Sequence, residues 1–103
     1  MSTVIPAIGM GATHRLGSDE YSYTITRISP SGKRIWLKRD QVKVVSGSEL
    51  DGTAVYEITP NPDSSEIEVS LRSNGRWYQK GQDMVHWSVF YLGSRSFYRD
   101  PSI

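Results

Sequence analysis

YSYTITRISPSGKRIWLKRDQVKVV, residues 21–45, decides the fold. Tyr21, Tyr23 and Ile25 alternate with Ser22, Thr24 and Thr26, the period-two pattern of a half-buried strand built from aromatic and β-branched residues. Ser29-Pro30-Ser31-Gly32 reads as a tight turn, because proline pre-sets a central dihedral and glycine accepts a left-handed position. The return strand sets Ile35 and Leu37 on one face, Trp36 and Lys38 on the other. Arg39-Asp40 interrupts the apolar pattern, and Val42 and Val44 resume it as far as Val45. The stretch is therefore a hairpin that continues into a third strand.

Downstream, Ala54–Thr59 reads as a strand with Tyr56 and Ile58 on one face. Two prolines keep PNPDSS (60–65) out of a strand interior. Residues 66–72 alternate Ile67, Val69 and Leu71 against Glu66, Glu68, Ser70 and Arg72. Asn74-Gly75 predicts a two-residue hairpin loop that pairs Ser73 with Arg76 and Arg72 with Trp77. That register sets Leu71 opposite Tyr78 on the core side and lays Arg72 over an exposed Trp77. Met84 to Leu92 reads as the last long strand, with Val85, Trp87, Val89 and Tyr91 on one face and Phe90 and Leu92 on the other. Upstream, Val4, Ile5 and Ile8 suggest a short strand broken by Pro6, and GMGATHRLGSDE (9–20) reads as a loop. No apolar residues recur at helical spacing. The expected fold is all-β, about seven short antiparallel strands forming a small SH3-like barrel or, as second choice, a compact two-sheet roll. A single domain spans 1–103, with a Gly-rich N-terminal segment (1–20) and a basic-aromatic tail (93–103).

A chain of 103 residues can bury one modest core. The absence of cysteine excludes disulfides and thiolate metal sites. No apolar run approaches the ~20 residues of a membrane-spanning helix. The N-terminus lacks the basic region of a signal peptide, so the expected location is the cytoplasm. Net charge is +1 but unevenly spread. Residues 27–45 hold six cations (Arg27, Lys33, Arg34, Lys38, Arg39, Lys43) against Asp40, whereas 46–68 hold six acids (Glu49, Asp51, Glu57, Asp63, Glu66, Glu68) and no Lys or Arg. Such asymmetry polarises a surface, unless the segments neutralise one another across strands.

No residue set amounts to a catalytic, metal or cofactor motif. Gly9-Met10-Gly11 lacks the third glycine, preceding strand and following helix of a dinucleotide fingerprint. His14 and His86 are too few for a zinc site, which takes three or four ligands. No G-x-S-x-G elbow is present. Asp19 and Glu20 are adjacent, so on a strand they point to opposite faces. The expectation is a protein that is not an enzyme and needs no cofactor. What remains is the interleaving of cations with rings. Trp36 stands between Arg34 and Lys38, Trp77 and Tyr78 follow Arg76, and the tail reads Arg95-Ser96-Phe97-Tyr98-Arg99-Asp100. Rings stack bases, arginine presents planar donors to phosphate, and an aspartate accepts from an amino edge. The candidate ligand residues are Trp36, Arg39, Asp40, Arg95, Tyr98, Arg99 and Asp100. The plainer reading gives the same rings to a small core and the arginine stems to its cover. A net charge of +1 disfavours extended duplex DNA, which demands many phosphate contacts. A small anionic, nucleotide-like ligand or a protein partner fits better, and an edge strand such as Ala54–Thr59 could pair between copies in a homo-oligomer.

Several short motifs carry a resemblance. Gly9-Met10-Gly11-Ala12-Thr13, Ser18-Asp19 before a Tyr/Thr strand, Ser31-Gly32-Lys33 leading to Arg39-Asp40, and Asn74-Gly75-Arg76-Trp77 are similar to segments of small phage and prophage proteins, mostly uncharacterised. The ending, Leu92-Gly93-Ser94-Arg95 and then Tyr98-Arg99-Asp100-Pro101-Ser102, resembles theirs too. The resemblance implies a mobile-element origin and carries no named activity. By analogy with small phage β proteins, it implies an anti-defence factor that sequesters a nucleotide immune signal or occludes a host defence protein. The alternatives are an SH3-like adaptor for protein or single-stranded nucleic acid, and a structural or assembly protein of a virion.

Overall fold

The computed structural model describes residues 4–84 and 87–98. Arg99 and Asp100 of the candidate set, and Val85 and His86 of the expected last strand, lie outside them. Among the described residues eight strands form: β1 (Gly11–Leu16), β2 (Asp19–Ile28), β3 (Arg34–Arg39), β4 (Gln41–Ser46), β5 (Val55–Thr59), β6 (Glu66–Leu71), β7 (Trp77–Gln79) and β8 (Ser88–Leu92). Six of them close an antiparallel barrel in the order β1-β2-β3-β6-β7-β8, and β4 and β5 pair separately as a two-stranded arm. The expected small all-β barrel is thus the fold, and no helix occurs among the described residues.

The hairpin of residues 21–39 forms as its pattern dictates. The Ser29–Gly32 turn closes with a 2.9 Å bond from the Gly32 amide to the Ser29 carbonyl. Ile25, Ile35 and Leu37 enter the core with Ala12, Val69, Trp77 and Phe90. Each fully buried aliphatic side chain contributes roughly 1.5–3 kcal/mol relative to exposure. The alternation of β2 does not run unbroken, because the register against β3 shifts between Ile25 and Arg27. One extra residue there turns all that follows to the other face. Arg27, which strict alternation would send inward, instead pairs with Trp36 and lies 4.4 Å over its ring, while Ile28 returns to the core side opposite Ile35.

Four readings of the sequence are corrected. The last strand starts at Ser88 rather than Met84, which leaves Met84 and Trp87 outside it. Residues 11–16 are strand, not loop, and are held on both sides by β2 and β8. No strand forms among the described residues before Gly11, so Val4, Ile5 and Ile8 remain outside the sheet. The Asn74-Gly75 hairpin is one residue longer than expected, since Leu71 pairs with Trp77 and the Arg72 amide bonds to the Arg76 carbonyl. Asn74 Oδ1 accepts from the Arg76 amide, and Gly75 takes a φ of 81°, the left-handed position that ends a three-residue loop. The slip exchanges the faces. Trp77 joins the central core cluster, whereas Tyr78 lies on the opposite face of β7, where it is also fully buried, with its hydroxyl accepting from Asn74 and the Arg72 guanidinium 5.7 Å from its ring.

Candidate ligand-binding site beneath the C-terminal tail

β1 and β2 direct Thr13, Ser22 and Thr24 to the outer face of the barrel, yet all three are buried. The tail covers them. Thr13 Oγ1 donates to the Ser94 carbonyl at 2.9 Å. Arg95 donates to Thr24 Oγ1 at 3.3 and 3.1 Å and to the Gly9 carbonyl at 3.0 Å, with its Nε 3.3 Å from Asp40 Oδ2. Asp40 sits at the break between β3 and β4, where its amide bonds to the Ser22 carbonyl. Its carboxylate accepts from Ser22 Oγ and, at 2.5 Å, from Thr24 Oγ1. The pattern break at Arg39-Asp40 is therefore a buried anchor for the tail. Farther on, Ser96 Oγ donates to Glu20 at 2.6 Å, and Tyr98 exchanges both backbone hydrogen bonds with Glu20 at 2.7 and 2.8 Å. The strap passes so close to β1 that a Cβ on Gly11 would lie 2.5 Å from Arg95 Cγ and 3.2 Å from the Arg95 nitrogen. Gly11→Ala is expected to cost about 1–3 kcal/mol in urea unfolding, since the backbone must give way.

Between strap and sheet lies a hollow of about 290 Å³ lined by Thr13, Arg15, Glu20, Tyr91, Ser94 and Ser96. Cross-strand register assembles it. Thr13 faces Tyr91 from β8, and Arg15 faces Glu20 from β2. The hollow thus offers an exposed guanidinium, an exposed ring, a carboxylate steadied by Ser96 and three hydroxyl side chains. This is the donor, acceptor and stacking set that the tail was expected to supply, carried in part by other residues. Arg15 and Tyr91 were missed because β1 read as loop, and because β8 shows apolar residues on both faces.

The barrel end nearest the arm root is also polar. His14 stacks on Phe90 with ring centroids 4.1 Å apart and planes 2° from parallel, and its Nε2 is 2.9 Å from Ser88 Oγ. Burial, with a smaller push from the Arg39 charge, lowers its pKa to about 4, so the imidazole is neutral near pH 7. Burial raises the Tyr23 pKa, and Arg39 partly opposes it. Arg39 itself lies 4.2 Å over Tyr21, whose ring meets Phe97 edge-on, and Phe97 in turn meets Tyr56 of the arm.

The candidate ligand residues are therefore distributed. Asp40 and Arg95 meet as the anchor of the strap. Tyr98 closes the strap against Glu20, one wall of the hollow. Arg39 caps Tyr21 at the barrel end, and Trp36 lies under Arg27 on the outer face of β3. Among the described residues, no group of three or more His, Cys, Asp or Glu could hold a metal ion. No family model, curated protein or solved structure matches the chain.

Proposed function

We propose that the protein is a non-catalytic binder of a small anionic, nucleotide-like ligand, held in the hollow beneath the tail. The observation that carries this reading is the lining itself, in which Arg15, Tyr91 and Glu20 converge with the hydroxyls of Thr13, Ser94 and Ser96 on one concavity. Arginine serves phosphate, the tyrosine ring serves a base face, and the carboxylate serves an amino edge. The strap gives the site a wall fixed before binding, which spares part of the ordering cost. The resemblance to small phage and prophage proteins supplies the setting, an anti-defence factor that sequesters a nucleotide signal in the host cytoplasm.

The test is a thermal-shift screen against linear and cyclic nucleotides, followed by calorimetric titration of the best. A ligand that binds only the folded state raises the melting temperature at saturation. Arg15→Ala is expected to weaken binding at least ~10-fold, about 1.4 kcal/mol, and Tyr91→Ala comparably. Both side chains are exposed, so the unliganded variants should melt with the parent. A flat screen, or a bound nucleotide indifferent to both substitutions, rejects the assignment.

A further inference from the structure

At the tip of the β4–β5 arm, Leu50 is 90% exposed, with Val45 and Val55 about half exposed beside it. The loop that carries Leu50 is tightly bonded to itself. Ser48 Oγ accepts from the Leu50 amide at 3.1 Å, Thr53 Oγ1 accepts from the Ser48 amide at 3.0 Å, and Asp51 accepts from both the amide and the hydroxyl of Thr53 at 3.0 and 2.6 Å. Such a loop holds a large apolar side chain out in water at a fixed position, flanked by Glu49 and Asp51. At the other end of the molecule, where β2 turns into β3, lies an apolar cleft of about 460 Å³. Val4, Ile5, Ile28, Pro30, Leu71 and Trp77 line it, and Lys33 is the one charged lining residue among the described residues. Arg76 stands on the neighbouring β6–β7 turn.

We infer that the Leu50 tip of one copy seats in the Val4–Trp77 cleft of a second copy, with Glu49 and Asp51 against Lys33 and Arg76. The two surfaces match in chemistry, since an apolar knob with an acidic collar meets an apolar cleft with a basic rim. Topology forbids the contact within one chain. β3 runs the length of the barrel from the cleft-side turn to Asp40, and the arm is rooted there, at the opposite end. Two different patches in contact make a heterologous, head-to-tail interface, which propagates into a ring or an open filament. This assembly is independent of any ligand beneath the tail.

Sedimentation velocity of the full chain over a concentration series tests it. The parent should associate with increasing concentration, and Leu50→Asp and Ile5→Asp should each remain monomeric. Ile5 is 81% exposed, so neither change touches the core, and circular dichroism should match the parent. Each variant keeps one intact half of the contact, so an equimolar mixture should yield a dimer holding one copy of each and nothing larger. A parent that stays monomeric into the millimolar range, a Leu50→Asp variant that associates as the parent does, or a mixture that stays monomeric would each overturn the inference. An Ile5→Asp variant that associates as the parent does would also overturn it and point to tip-to-tip contact instead.

Discussion

Arg95→Met is expected to destabilise the protein by about 3–5 kcal/mol, the cost of stranding a buried charge. The reason lies in an asymmetry of burial. The Asp40 side chain is 0% exposed, whereas that of Arg95 is 31% exposed. Removing Arg95 leaves a carboxylate sealed from water, whose side-chain donors among the described residues are then the hydroxyls of Ser22 and Thr24. Removing Asp40 instead leaves a guanidinium that can turn to solvent and keep its bond to the Gly9 carbonyl. Asp40→Asn is therefore expected to cost less, near the 1–3 kcal/mol of an imperfectly satisfied buried group. Methionine retains most of the arginine stem, so lost packing is not the cause. Urea unfolding of both variants measures the difference, and limited proteolysis should show earlier cleavage after residue 93 in Arg95→Met. A loss below ~1 kcal/mol would place the pair with ordinary surface salt bridges and remove the anchor from the account.

Acidification is expected to weaken the fold through His14 before the carboxylates contribute. Its folded pKa is depressed to about 4 from the ordinary histidine value of 6.5. Below pH 6.5 the unfolded chain takes up a proton that the folded imidazole refuses, so stability falls as pH drops from 6.5 towards 4 and levels off below. The full shift corresponds to an upper bound of about 3 kcal/mol, reduced by whatever solvent reaches the barrel end. Arg39 is the charge that faces the ring, and Phe90 and Tyr23 are its apolar neighbours. Glu66 is held low by hydrogen bonds from Arg27 and Thr26, so its loss comes only as pH falls through the carboxylate range. His14→Leu should flatten the slope between pH 6.5 and 4. Unfolding free energies across that window would show it, and parallel curves for parent and variant would sink the idea.

The central hairpin was legible because its information is local. Alternation marks Tyr21 to Ile25 and Ile35 to Leu37, and Ser29–Gly32 carries its own turn chemistry. The break at Arg39-Asp40 was equally visible, although nothing nearby announces that Asp40 answers to Arg95. Failures came where a distant partner decides. β1 offers only Ala12 to the core cluster and surrounds it with glycine, threonine and histidine, so no periodicity survives. It is a strand because two neighbours clasp it. At Asn74-Gly75 both loop lengths suit the dipeptide, and the core's demand for Trp77 selects the longer. The bulge at Thr26 likewise follows from the need to bring Ile28 inward while Arg27 stays out. Of the candidate site, the basic-aromatic chemistry was readable but its location was not, because the hollow exists only once the tail lies across β1 and β2.

Closure through β1 and β8 also bears on how the chain folds. The first strand depends on Leu92, Tyr91, Phe90, Val89 and Ser88 for its second set of partners, and these lie far along the chain from it. Before β8 docks, β1, β2 and β3 can pair as a meander, but Ala12, Ile25 and Leu37 have no Phe90 to pack against. Such late, long-range closure makes for slow folding and a period of open sheet edges. Docking of β8 against β1, rather than formation of any one hairpin, should therefore be the event that commits this protein to its native state.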